Sequence, residues 1–269
     1  MTRQLVGFND EIISATFVST STPDSVLAIA ANSSLIRVYS TIDNDARLLA
    51  GHSDVVLCLS HSADKSVLAS GSKDKTARIW TFSSLSQSWI CIGICEGHAE
   101  SIGGIVMSRK ECKLESDVMG LRFMFTGSQD RTIKMWDLSS LDPQRQEPTR
   151  CKSLTTHKAH EKDINSLDVA PNDRFLASGS QDKTAKVYEI TYTDNSSGPP
   201  RGEIKLLGTC KGHKRGVWAV KFANQERLLA TAGGDKTIKL WNLDDFSCIK
   251  VWCKVISDIN RFIYPTEDL

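Results

Sequence analysis

The chain has 269 residues, 40% of them apolar, with 33 basic against 32 acidic side chains and a net charge of +1. That balance excludes a global electrostatic pull toward nucleic acid or an anionic membrane. No stretch approaches the roughly 18 consecutive apolar residues of a membrane-spanning helix, and the first residues lack the apolar centre of a secretory signal.

Taken in chain order, one pattern recurs. A degenerate copy, LAIAANSSLIRVY (27–39), is followed by LASGSKDKTARIW (68–80), MFTGSQDRTIKMW (124–136), LASGSQDKTAKVY (176–188) and LATAGGDKTIKLW (229–241). A small residue and a histidine precede each full copy: Gly51-His52, Gly97-His98, Ala159-His160 and Gly212-His213. Histidine and aspartate lie 22, 32, 22 and 22 residues apart, counted to Asp74, Asp130, Asp182 and Asp235. Six residues after each aspartate comes an aromatic: Trp80, Trp136, Tyr188 or Trp241.

Each unit reads as short strands. Val56-x-x-Leu59, Ile164-x-x-Leu167 and Val217-x-x-Val220 open the first, LAS or LAT the second, and T-x-[KR]-x-W the third. The variable stretches between repeats supply a fourth. Gly, Ser and Asp between the second and third strands predict tight reversals, and no sustained i, i+3, i+4 stripe predicts a helix. A lone four-stranded sheet cannot bury both faces, so such sheets stack around an axis. The expected fold is an all-β propeller segment over 1–250, with five four-stranded blades at about 9–40, 51–81, 97–137, 159–189 and 212–242, then a divergent tail, 251–269.

The G-H … S-x-D-x-T … W pattern resembles the WD-repeat family. That resemblance implies a hydrogen-bonded tetrad in each blade: His52, Ser70, Asp74 and Trp80 in the second, His98, Thr126, Asp130 and Trp136 in the third, and His213, Thr231, Asp235 and Trp241 in the fifth. Blade four has Tyr188 with His160, Ser178 and Asp182, a weakened version, and the first copy offers Ile29, Ser33 and Tyr39 with no Gly-His before them. The chemistry stands without the family, because a buried aspartate needs donors and His, Ser or Thr, and Trp supply them. A His/Ser/Asp hydrolase site is the competing reading. Four near-identical copies oppose it, since an active site occurs once and a structural device recurs.

RQLVGFNDEI, HEKDIN (160–165), APNDRFLASGSQDKTAK (170–186) and LDDFSCIK (243–250) are similar to the second propeller of one WD-repeat subfamily, which is associated with the U3 small nucleolar RNA particle in the UtpB complex. The resemblance implies a nucleolar scaffold for pre-18S ribosomal RNA maturation in the small-subunit processome. Its partners would be other pre-ribosomal proteins, with U3 or precursor ribosomal RNA touched indirectly or weakly. Subfamily members carry two complete propellers. Five repeats and the unrelated ending VWCKVISDINRFIYPTEDL therefore read as an incomplete product or alternative transcript, forming an open arc with uncovered terminal sheets. A ubiquitin-ligase substrate receptor is the alternative, although Trp136-Asp137-Leu138-Ser139 lacks the Arg of the W-D-x-R signature.

No phosphate loop, H-E-x-x-H or G-x-S-x-G motif is present, so no enzyme activity, cofactor, metal or small-molecule substrate is expected. His157 and His160 form H-x-x-H, but His160 already belongs to a blade. The eight cysteines are scattered and read as reduced, buried thiols. By family analogy the turn between second and third strands opens on the top face. Lys75, Arg131, Lys183 and Lys236 follow the turn aspartates there, and Lys73, Gln129 and Gln181 precede three of them. These cations are either a partner-binding rim or ordinary solvated turn residues. Trp218, early in the first strand of the last blade, is either an interface hot spot or core. The ten extra residues in the third repeat, around 109–119, read as a loop elaboration.

Overall fold

The computed structural model describes residues 10–20, 25–40, 46–110, 121–142, 145, 147–193, 199–224 and 227–253. Every regular element among them is a strand. Blade one is β1 (Ile12–Ser19), β2 (Ser25–Ala31), β3 (Ile36–Ser40) and β4 (Ala46–Leu49), and blade two is β5 (Val56–His61), β6 (Val67–Ser72), β7 (Ala77–Ser83) and β8 (Ser88–Cys95). Blade three comprises β9 (Ile102–Met107), β10 (Phe123–Ser128), β11 (Thr132–Asp137) and β13 (Lys152–Lys158). The short β12 (Thr149–Arg150), on the way into β13, adds a parallel fifth strand to the outer edge of blade two at β8. Blade four is β14 (Ile164–Val169), β15 (Phe175–Ser180), β16 (Thr184–Thr193) and β17 (Arg201–Lys211), and blade five is β18 (Val217–Phe222), β19 (Leu228–Gly233), β20 (Thr237–Asn242) and β21 (Cys248–Cys253). The protein is thus an all-β propeller of five four-stranded antiparallel blades. The expected division at 250 falls inside β21.

The inner strands β1, β5, β9, β14 and β18 pack side by side in that order, and no contact of similar extent joins β18 back to β1 among the described residues. Between neighbours, the forward face of one blade meets the rear face of the next. Ala28, Ala30, Ile36 and Val38 meet Val56, Leu68 and Trp80; Val67, Ala69 and Ile79 meet Ile102, Met124 and Trp136. Phe125, Ile133 and Met135 then meet Ile164, Leu176 and Tyr188, and Ala177, Ala185 and Val187 meet Val217, Leu229 and Trp241. Strands covered on both faces lose clean polar alternation, which is why β6 and β10 are buried at every position.

Polar groups also stitch blades together. Asp168, buried on β14, accepts from Arg109 Nη2 of blade three at 2.7 Å and from Lys221 Nζ and the Phe222 amide of blade five at 2.9 and 2.8 Å. One carboxylate thereby spans three blades. Arg109 and Lys110 amides donate to Asp173 of blade four. The rest of the expected loop elaboration lies outside the described residues, as do 254–269 of the tail.

The cysteines meet the expectation of burial only in part. Cys95, Cys151 and Cys210 are buried, Cys58 and Cys91 are half-buried, and Cys248 and Cys253 are exposed on the outermost strand β21. Cys112 lies outside the described residues.

Candidate functional site: the blade tetrads and the top rim

In blade two, His52 Nδ1 donates to Asp74 Oδ2 at 2.8 Å, Ser70 Oγ lies 2.8 Å from His52 Nε2, and Trp80 Nε1 donates to Ser70 Oγ at 2.9 Å. Blade three repeats this with His98, Asp130, Thr126 and Trp136, all links at 2.8 Å. In blade five His213 Nδ1 faces both Asp235 oxygens at 3.1 Å, Thr231 Oγ1 is 2.8 Å from Nε2, and Trp241 Nε1 donates to Thr231 at 2.8 Å. A carboxylate only accepts, so each histidine donates from Nδ1. In the Nδ1–H tautomer Nε2 accepts from the hydroxyl, which itself accepts the indole N–H, giving a one-directional relay from strand to turn.

In blade four His160 keeps its links to Asp182 (2.8 Å) and Ser178 (2.7 Å), but no indole completes the relay. Among the described residues Tyr188 Oη is buried with no well-formed hydrogen bond, Ser178 being a polar neighbour, and burial holds its phenol well above the ordinary range. His157 packs edge-on against the Tyr188 ring, with centroids 5.5 Å apart. In blade one Ile29 occupies the hydroxyl position and Ser33 the aspartate position, where Ser33 Oγ accepts the Leu35 amide at 3.1 Å.

Each aspartate does more than hold histidine. Asp130 Oδ1 accepts from Thr132 Oγ1 (2.6 Å) and the Thr132 amide (2.9 Å), while Oδ2 also accepts the Ala99 amide (3.0 Å). Thr76, Thr184 and Thr237 play the same part for Asp74, Asp182 and Asp235. The threonine stands in the repeat in plain sight, two residues after the aspartate, yet the four-member tetrad leaves it out. Ser72, Ser128 and Ser180, expected only as turn formers, do more. Each accepts the aspartate's amide and donates to the chain entering the inner strand, as from Ser128 to Glu100 O at 2.9 Å.

Burial alone would raise these carboxyls. The hydrogen bonds from histidine and threonine outweigh it and hold Asp74, Asp130 and Asp182 far below the ordinary range and Asp235 at about 2. Burial lowers His213, against the opposing pull of Asp235, which favours the neutral ring. Before two of the histidines, Gly97 and Gly212 hold φ of +139° and +154°, backbone that side chains rarely adopt.

The histidine sits between hydroxyl and carboxylate as in a hydrolase relay. Yet Ser70, Thr126, Ser178 and Thr231 are 0–1% exposed, so no acyl group reaches the hydroxyl, and in three blades an indole N–H already occupies it. Burial pushes the Cys58 and Cys210 thiols up to about 12, away from the thiolate form a nucleophile needs.

On the rim, Lys75, Arg131, Lys183 and Lys236 all adopt positive φ, between 61° and 74°, and close their turns by amide bonds to the residue three before. All four are exposed, as are Lys73, Gln129 and Gln181. The surface around them has both signs: Glu100 lies 3.9 Å from Lys75, and Glu161 is exposed beside blade four. Trp218 is 51% exposed, so it is not core. A cleft between blades four and five, lined by Phe175, Val187, Leu207, Phe222, Leu243 and Phe246, has no signature in the repeat pattern. Its lining comes from five separate segments.

A family model described as WD domain, G-beta repeat matches residues 44–81, 89–137, 151–189 and 204–242. Transducin beta-like protein 3 of Mus musculus is 37% identical over 225 residues, 82% of this chain and 25% of the relative; the Homo sapiens protein is 36% identical over 224 residues, with 81% and 25% covered. U3 small nucleolar RNA-associated protein 13 of Saccharomyces cerevisiae is 33% identical over 207 residues, 72% of this chain and 23% of the relative. The chain therefore spans about a quarter of the length of these curated relatives. With four matched repeats, three complete tetrads and a fourth lacking only its indole, the chain belongs to the WD-repeat family.

Proposed function

We propose that this chain is a non-catalytic protein-interaction scaffold that works among the proteins of a pre-ribosomal complex, the small-subunit processome, in the nucleolus. The observation that carries the complex is the 33–37% identity to relatives, one of them named for its association with U3 small nucleolar RNA. The scaffold role rests on the blades: the repeated polar sets are buried locks, and what faces outward is loops and turns. The rim of Lys75, Arg131, Lys183 and Lys236, with Lys73, Gln129, Gln181 and the exposed Trp218, is the proposed partner surface. Interspersed acidic residues favour a protein partner there over bare phosphate, leaving RNA contact indirect or weak.

Purification of the tagged chain from cells should recover pre-ribosomal proteins together with U3 RNA, and depletion should lower 18S relative to 28S ribosomal RNA. Combined substitution of Trp218 and the four rim cations should weaken recovery while the folded signal persists. A protein found outside the nucleolus, whose depletion leaves ribosomal RNA processing intact, would leave the propeller standing and remove the pathway.

A further inference from the structure

At three of the four junctions between blades, the third and fourth strands of the later blade reach back over the outer strand of the earlier one. Between blades one and two, Arg47 of β4 sits 5.8 Å from the Phe82 ring centre and donates to Gln87 O in the turn from β7 to β8. Between two and three, Leu141 and Cys151 lie over Gly93, β12 pairs with β8, and Ile92 is 2% exposed. Between three and four, the long β16 and β17 bring Tyr192 and Ile204 against Leu154, with Gly202 set on Met135. Blade five instead turns from β20 to β21 within residues 243–247, and its Phe246 lies over Gly208, the counterpart of Gly93. Leu207, the counterpart of Ile92, is left 42% exposed beside the cleft. Among the described residues β17 has no strand on its outer edge. The cleft holds about 170 Å³, room for a leucine or phenylalanine side chain, since an apolar cavity of about 150 Å³ takes up benzene.

We propose that the cleft and the edge of β17 hold an extended segment of a partner protein, added parallel to β17 as β12 is added to β8. The chemistry of the occupant follows from that internal template. Arg150 of β12 pairs with Glu96, just past the end of β8, at 3.2 Å. In blade four the place of Glu96 is taken by the exposed Lys211. The charge is reversed, so the segment carries a carboxylate where β12 carries arginine. At the cleft mouth Arg227 and Asp244 neutralise each other at 2.8 Å, which leaves Lys211 to set the sign. Parallel pairing puts earlier residues beside Leu207 and later ones beside Lys211, so the apolar anchor precedes the acid. The cleft lies by the turn at 170–172, at the other end of the blade from the rim cations. It is therefore a contact additional to the rim, and its test does not depend on the pathway.

The probe is a fluorescent peptide with the sequence of residues 147–153 carrying Pro148→Leu, Arg150→Glu and Cys151→Val, titrated against the 269-residue chain by anisotropy. It should bind saturably, and about twofold to fivefold more tightly than the same peptide with Arg150 kept, the range of one exposed ion pair. Leu207→Glu in the chain, at an exposed position, should abolish binding while the chain stays folded. Lys211→Glu should invert the preference, so that the peptide keeping Arg150 binds better. A photo-crosslinker placed at position 207 should capture the peptide. Any of four results overturns the proposal: no saturable binding, equal binding of the two peptides, binding indifferent to Leu207→Glu, or a preference unchanged by Lys211→Glu. Cross-links from position 207 to the chain's own residues, or to a second copy, would also overturn it, because the cleft would then belong to that occupant.

Discussion

Blades one and three are built on the same antiparallel frame, with five paired positions between second and third strands in each. They differ in what holds the top. In blade three, Asp130 gathers histidine, threonine and two amides and ties the turn to the segment entering the inner strand. In blade one, Ser33 caps its own turn through a single amide, and Ile29 fills the place of the hydroxyl. Apolar burial and register are therefore enough to make a blade. The tetrad adds a lock between two loops that are 32 residues apart in blade three.

The largest separation between the two designs should come from acid. Each tetrad carboxyl has its folded value depressed below the ordinary 3.8, so the unfolded chain takes up protons first. That stability is complete above about pH 5 and is lost as pH falls through 3.8 toward the folded values. His213, also depressed, adds an earlier loss as pH falls below its ordinary 6.5. The melting temperature should thus decline mildly below 6.5 and steeply below 4, driven by four blades and not by blade one; a flat profile down to pH 3 would contradict the lock.

Trp136→Ala removes a fully buried indole that is both interface core and relay donor, and should cost about 3–5 kcal/mol in urea unfolding. Asp130→Ala leaves histidine, threonine and amide donors without an acceptor and should cost about 1–3 kcal/mol. Ser33→Ala in blade one should cost no more than about 0.5–1 kcal/mol, since one partly buried amide loses its partner. Equal costs for the last two would erase the distinction drawn between the blades. The smallest effect belongs to blade four, where Tyr188→Phe deletes a buried hydroxyl that makes no well-formed hydrogen bond among the described residues. Stability should stay level or rise by up to about 1 kcal/mol. A clear loss would mean that the hydroxyl does complete the relay.

The tetrads were legible because their members recur at fixed offsets, and only Tyr188 broke the register of residue types. Thr76, Thr132, Thr184 and Thr237 were equally regular but carried no distinctive chemistry on paper; a threonine two residues past an aspartate reads as a strand residue until its hydroxyl is seen 2.6–2.7 Å from the carboxylate. Asp168 was invisible for a different reason. Its partners, Arg109 and Lys221, lie 59 and 53 residues away on other blades, outside any periodic signal.

By itself the sequence determined the blade count, the turn at each aspartate and the histidine–hydroxyl–indole sets, because these depend on spacing within one repeat and on alternation along one strand. Only the tertiary structure decided which of the repeated faces are covered. Ile238 and Ile133 occupy the same step of the same pattern, and Trp218 reads in the chain as either an interface hot spot or core. Yet Ile133 is sealed by blade four while Ile238 stands half-open. Burial is a property of the neighbour across the interface, and no residue encodes locally whether that neighbour is there.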